Sequence, residues 1–176
     1  EATRLFREAL DFHVKGDDKE ESKSGKEFEG PASALPEELF PPCIKLIMNG
    51  LEDGKKRALF ILVNYFTSIG WDYDMTEKKL KEWNAKNKEP LREVYLLGQL
   101  RYHKQMQKRI LPPNCPKREN NVPLSNQQNY YTDLRICHPD NFCSKIKNPA
   151  QYTTRKAWLI NRNTKGKMEK KVSVVK

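Results

Sequence analysis

Four cysteines restrict this chain more than any other feature. Cys43, Cys115, Cys137 and Cys143 are separated by 72, 22 and 6 residues. Cys43 closes Phe40-Pro41-Pro42-Cys43 at the head of the first apolar run, and Cys115 again follows a double proline in Leu111-Pro112-Pro113-Asn114-Cys115. Three of the four fall in a proline- and asparagine-rich stretch without helical periodicity, which packing alone would hold poorly. A shared metal would hold it. None of the spacings is the Cys-x-x-Cys knuckle of a zinc finger or ribbon. A four-thiolate set suits either Zn(II) or an iron–sulfur cluster, because both favour soft sulfur ligands. The competing reading makes Cys43 a small apolar helix residue and the loop cysteines incidental. Glu1 to Leu10 lack the apolar core of a secretory signal, so metal ligation reads better than two disulfides. His138, beside Cys137, is surplus to a four-cysteine set.

The fold expected around these cysteines is a small, mainly helical all-α domain with a loop-rich, four-cysteine segment. Apolar residues make up 37% of the chain, below the usual share of about 45–50%, so one modest core with polar surroundings is expected. Residues 1–15 place Leu5, Phe6, Ala9, Leu10 and Phe12 on one side of an N-terminal helix, with His13 on its surface. Residues 16–39 are rich in Asp, Glu, Lys, Ser and Gly and read as an acidic flexible linker. The domain proper spans 40–155. Cys43, Ile44, Ile47, Met48 and Leu51 follow helical spacing toward a stop at Glu52-Asp53-Gly54. Ala58 to Ile69, apolar nearly all round, reads as the central buried helix, ended by Gly70. Asp74-x-x-Glu77 resembles a capping box opening a third helix to about Asn87, with Leu80 and Trp83 inward. Pro90 fits the first turn of a fourth helix to about Ile110, with Leu91, Val94, Leu97 and Tyr102 on its apolar side. A short helix is expected near Thr154–Ile160, and a basic, disordered tail over 156–176.

Charge is unevenly distributed. Residues 1–42 carry a balance of −5, residues 43–150 of +8 and residues 151–176 of +7. A basic excess in the cysteine region and tail is the pattern of parts that meet a polyanion, although lysine-rich tails are often only solvated. Arg101, Lys104 and Lys108 recur at helical spacing as a basic stripe. No run approaches the length of a transmembrane helix, so no membrane partner is expected.

The ordered set Phe40-Pro-Pro-Cys43, Ile69-Gly70, Pro113-Asn-Cys115 and Cys143-x-x-Ile-Lys-Asn-Pro-x-x-Tyr152 resembles the C-terminal iron–sulfur domain of the archaeal and eukaryotic DNA primase large subunit. The likeness covers about residues 40–155. It implies that Cys43, Cys115, Cys137 and Cys143 ligate a [4Fe–4S] cluster, with Zn as the alternative. It further implies a non-catalytic module that binds single-stranded or primer–template DNA/RNA and the initiating nucleoside triphosphate, and so helps a separate catalytic primase subunit begin RNA primers. Lys55, Lys56, Arg57, Arg101, Lys104 and Lys108 are the expected phosphate contacts, Arg57 being nearest to an arginine the family carries early in its second helix. From Arg57 to Gly70 the chain is about two residues longer than the family pattern. Tyr130, Tyr131 and Tyr152 are candidates to stack on unpaired bases, or else to pack over the cluster. The family's N-terminal domain is not within these residues, so an excised domain or a stand-alone variant, from a divergent archaeon or a mobile element, is expected. The location would be the cytoplasmic nucleoid for an archaeal or mobile-element protein and the nucleus for a eukaryotic one.

Two rival functions stand beside this. One is a stand-alone zinc-binding regulator of transcription or RNA. The other is an iron–sulfur nuclease accessory domain, which would need an acidic metal-binding pair; Asp72 and Asp74 read more simply as turn and cap residues. No phosphate-cradling Gly-x-x-x-x-Gly-Lys, Gly-x-Gly-x-x-Gly or triad-like spacing occurs.

Overall fold

The all-round apolar run builds the centre of the molecule, as its composition dictates. In the computed structural model, which describes residues 30–106, 110–116, 118–119, 122–123 and 129–173, the longest early helix is α2 (Lys55–Ser68). In the two short strands and beyond residue 163 only the backbone is described. Ala58, Leu59, Ile61, Leu62, Val63, Tyr65 and Phe66 of α2 are all buried. Ahead of it lies α1 (Pro42–Met48), where Pro42 supplies a preset φ and lacks only an N–H that would be unbonded anyway. Behind it come α3 (Tyr73–Ala85) and α4 (Glu93–Gln105). Arg118–Glu119 and Val122–Pro123 form a minimal antiparallel ladder. A single turn, α5 (Tyr130–Asp133), and the long α6 (Pro149–Ser173) complete the order.

Side-chain pairs fix how the helices run. Lys56 Nζ lies over the Tyr95 ring at 5.0 Å, and Thr67 Oγ1 meets His103 Nε2 at 3.5 Å. These pairs align α2 and α4 in the same direction. Tyr73, at the start of α3, reaches His103 near the end of α4, whereas Lys81 pairs with Glu93 at its start, so α3 runs antiparallel to both. Trp83 and Leu80 seal the interior from α3, as their spacing predicts. An aromatic group closes the bottom: Phe40 meets Tyr65 edge-on at 5.2 Å, and Phe66 stacks on Trp71 at 4.8 Å. Such pairs add about 0.5–1.5 kcal/mol each beyond area burial.

Several boundaries differ from the expected ones, each for a local reason. The cap of α3 is Asp72, not Asp74: the Met75 N–H donates to Asp72 Oδ1 at 2.7 Å. The fourth helix begins at Glu93, and its inward face is Leu96, Leu100 and His103. Val94 and Tyr102, expected to face inward, are 82% and 56% exposed. The helix carries apolar residues on two faces, and periodicity could not say which one the core takes. Residues 30–39 are not a tether. The Leu35 N–H donates to Ile69 O at 3.1 Å, the Trp71 indole N–H donates to Leu35 O at 2.8 Å, and Glu37–Leu39 form a 3-10 turn. The last helix starts at Pro149 and continues to Ser173, so no boundary falls at 155 and the stretch expected to be a disordered tail is helical through residue 173, with 174–176 outside the described residues. Residues 1–15 and 16–29 lie outside the described residues.

His103 ties three helices together. Its Nδ1 meets the Tyr73 hydroxyl at 3.0 Å, and burial pushes its pKa down. The unfolded chain therefore binds a proton that the folded one resists, and stability rises with pH across that interval. The denaturation midpoint is expected to fall as pH drops below about 6.5. His103→Gln should flatten that dependence, as urea melts at pH 7.5 and 5.5 would read.

Candidate metal centre

Four separate segments each bring one cysteine to the same place. Cys43 is the second residue of α1, set by Pro41 and Pro42. Cys115 lies in an extended stretch pinned to the segment ahead of α6, its N–H donating to Lys147 O at 2.7 Å. The Tyr131 hydroxyl donates to Pro113 O at 3.0 Å, and Asn129 Nδ2 donates to Asn114 O at 3.0 Å, which hold that stretch from the other side. After α5, Arg135 takes a left-handed φ of 53° and the Ile136 N–H bonds back to Tyr131 O, turning the chain into Cys137. Cys143 follows a tight turn made by Asp140, whose Oδ1 accepts the N–H groups of Phe142 and Cys143 at 3.0 and 2.9 Å. Asn148 caps α6 by accepting the Gln151 N–H.

The four cysteines line one small cavity. Apart from His138 the rest of the wall is apolar: Pro41, Pro116, Pro139, Pro149, Ile146 and the Tyr131 ring. All four carry thiols rather than disulfides. Among the described residues, no group of three or more His, Cys, Asp or Glu side chains stands as a single-ion site. The structure therefore shows thiols gathered around a cavity, not a closed coordination shell. Their electrostatics record the gathering. The Cys43 thiol is pushed well up, first by burial and then by Cys115, Cys143 and Cys137. Tyr131 is pushed up by burial and by Cys43, Cys115 and Cys137. Several thiolates in such a pocket are tolerable only with a cation among them, which inverts the local pKa order. An all-sulfur donor set in an apolar wall fits a zinc ion or an iron–sulfur cluster by its chemistry.

Asp140 and Tyr152, neighbours of the site, form a further support. The Tyr152 hydroxyl donates to Asp140 Oδ2 at 2.6 Å. Burial opposes the Asp140 charge, but hydrogen bonds from Tyr152, Cys143 and Phe142 outweigh it and hold the carboxyl below its usual range. The Asp140-x-x-Cys143 spacing was the sequence signal for this turn. Asp140→Ala orphans the Tyr152 hydroxyl and the Cys143 N–H, and is expected to cost about 1–3 kcal/mol in urea denaturation.

The expected nucleic-acid contacts divide. Tyr131 and Tyr152 are buried, at 1% and 2% exposure, and cannot stack on bases; they pack beside the cysteines. Tyr130 is exposed at 43% and stacks on Phe60. Lys55, Lys56 and Arg57 occupy the first turn of α2, whose N-cap Gly54 offers no side-chain acceptor. Arg57 leans toward Asp133 at 3.5 Å and Lys55 Nζ donates to Glu52 O. Arg101 and Lys104 lie toward the C-terminal end of α4, so the two basic groups sit at opposite ends of the α2/α4 pair; Lys108 is outside the described residues. No helix among the described residues is long and apolar enough to cross a membrane.

Residues 33–171 match the family model of the eukaryotic and archaeal DNA primase large subunit, C-terminal domain. The chain belongs to that family. The DNA primase large subunit PriL of Thermococcus kodakarensis is 26% identical over 179 residues, covering 81% of this chain and 42% of the relative. The chain thus spans less than half the length of that relative. No solved structure matches. The match begins at residue 33, within the 30–39 segment that packs on Gly70.

Proposed function

We propose that this primase-family domain holds a [4Fe–4S] cluster on Cys43, Cys115, Cys137 and Cys143 and supports RNA primer initiation by a separate catalytic subunit. The observation that carries this is the convergence of four thiols, drawn from four segments, on one apolar cavity. When bound, the cluster supplies positive charge that lets buried thiolates persist, and so welds the 110–149 segment to the helices. The chain's own residues do the rest. Lys55, Lys56 and Arg57 crowd an uncapped helix start, where backbone N–H groups and the helix dipole favour phosphate. Tyr130, stacked on Phe60, presents an aromatic face beside them for an unpaired base. Arg101 and Lys104 extend the positive field to the far end of α4. Template, nucleotide and catalytic subunit are the partners this reading requires. None of these side chains forms a polymerising site, so the role is to hold and position.

Iron and sulfide content, with visible absorption of anaerobically purified protein, tests the cluster; colourless protein with one zinc sinks it. Added to a matched catalytic subunit, the chain is expected to raise primer initiation while making no primers alone. Its binding to single-stranded DNA should weaken steeply between about 50 and 200 mM salt. A flat dependence would mean that the basic surface is merely solvated. The Lys56→Glu, Arg57→Glu pair should shallow the slope by about two contacts.

A further inference from the structure

Among the described residues, nothing covers a second apolar face of helix α4. Val94, Gly98 and Tyr102 succeed one another at four-residue steps, with Tyr95 and Met106 beside them. Val94 is 82% exposed, Tyr102 56%, Tyr95 47% and Met106 45%. A Cβ added at Gly98 would meet nothing within 4 Å, so the middle of the stripe is a notch open to solvent. Single exposed apolar residues are ordinary, but a row along a whole 13-residue helix, about 20 Å long, is not. The core does not need it, because Leu96, Leu100 and His103 already fill the opposite face.

The rim of the stripe is basic on both sides. Arg101 flanks it on one side, and Arg92 and Lys56 on the other, with Lys56 held over the Tyr95 ring. The nearest carboxylate on the helix, Glu93, faces α3 and is paired with Lys81. Arg101 and Lys104 both line a groove with Asp74 and Glu77, and Lys104 is turned there toward Tyr73. Like charges on the rim oppose a second copy of the same face. We infer that this face of α4 seats an amphipathic helix of a partner protein, apolar along the contact and acidic at both flanks. The notch at Gly98 lets a large side chain of the incoming helix approach the backbone, while carboxylates meet Arg101, Arg92 and Lys56. Stripes of this kind are how helix-in-groove recognition is built. Tyr95 already carries Lys56 over its ring, and Val94, Gly98 and Met106 give bases nothing to stack on, so Tyr102 alone in the stripe offers an open ring and the face suits a helix better than a nucleic-acid strand. The inference does not depend on what the cysteines hold.

The probe is a designed, fluorescein-labelled 18-residue helix with leucines on one face and glutamates flanking them, titrated into the full chain. Saturable micromolar binding is expected, weakened at least tenfold by Val94→Asp. Arg101→Glu should weaken it several-fold, and a peptide with lysines on that flank should restore it. Val94 is surface-exposed, so an unchanged melting temperature separates lost binding from lost fold. Absent saturation, indifference to Val94→Asp, or equal binding of a Glu→Gln peptide would overturn the inference. Two other results would also overturn it. Competition by a single-stranded oligonucleotide whose own binding falls with Val94→Asp would give the face to nucleic acid. A concentration-dependent dimer abolished by Val94→Asp would give it to a second copy.

Discussion

Cys115→Ser is expected to release residues 110–149 from the helical body while α2, α3 and α4 stay folded. Among the described residues, the buried side chains of that stretch are Tyr131, Ile136, Cys143 and Asn148 together with Pro112, Pro116 and Pro149, and Tyr131 is the largest of them. The stretch's hydrogen bonds to the helices include Ser68 Oγ to Ile110 O at 3.4 Å, the Tyr152 hydroxyl to Asp140 Oδ2 at 2.6 Å and the Lys147 N–H to Gln151 Oε1 at 2.7 Å, each worth about 0.5–1.5 kcal/mol net, beside an exposed Arg57–Asp133 pair at 3.5 Å. Structural metal sites supply roughly 10–16 kcal/mol in small domains, more than the whole stability of many proteins. On the proposed metal centre, losing one ligand therefore outweighs everything else that holds the segment. Trypsin should cut rapidly at Arg135, Lys145 and Lys147 in the variant and slowly in the parent. His138→Ala, which removes a cavity-lining residue but no thiol, should leave the pattern unchanged. Parent-like protease resistance in Cys115→Ser would mean that packing holds the segment and the cysteines are passengers.

Gly70→Val should be the most damaging change away from the cysteines. Gly70 has φ +89°, and a Cβ there would lie 2.8 Å from Ser33 O and 3.1 Å from Pro31 O. Those contacts are backbone, so neither can swing aside as a side-chain tip would. Strain at such a position costs about 1–3 kcal/mol. Displacing the 30–39 segment also breaks the bonds joining Leu35 to Ile69 and Trp71, and the total expected loss is about 2–4 kcal/mol in urea denaturation. A variant as stable as the parent would show that residues 30–36 do not contribute to the core.

What the sequence made legible follows from how strongly each pattern is overdetermined. The stretch from Ala58 to Ile69 is apolar on every side, so it belongs at the centre, and twelve residues without a turn signal favour a helix over a buried strand, which is what forms. Leu80 and Trp83 are legible as inward residues because their helical spacing on α3 gives one buried stripe. Helix α4 has two, and the choice between them lies in what α2 and α3 offer, which no local period contains. The 30–39 segment looked like linker because it is polar and proline-bearing. Its attachment is made by backbone bonds from Leu35 and by the absence of a side chain at Gly70, and neither leaves a hydrophobic signature. The grouping of the four cysteines was visible as an expectation from their number and setting. The burial of Tyr131 and Tyr152 was not, since their roles depend on Pro113 and Asp140, remote or loop-borne acceptors.

The assembly of the cavity also sets a timetable. Cys43 and Cys143 stand 100 residues apart, and Cys115, Cys137 and Cys143 all come late. A ribosome adding roughly 5–20 residues per second leaves Cys43 waiting on the order of 5–20 s before Cys143 has been made. During that interval α1 to α4 can already pack, because their mutual contacts are complete by residue 106. The nascent chain would then present a finished helical body carrying one thiol at its edge, onto which the last third of the polypeptide closes. Loading of the proposed centre is on this account a late event in biogenesis, and an interruption in translation between Cys43 and Cys115 would strand a folded but incomplete domain with the Cys43 thiol uncovered.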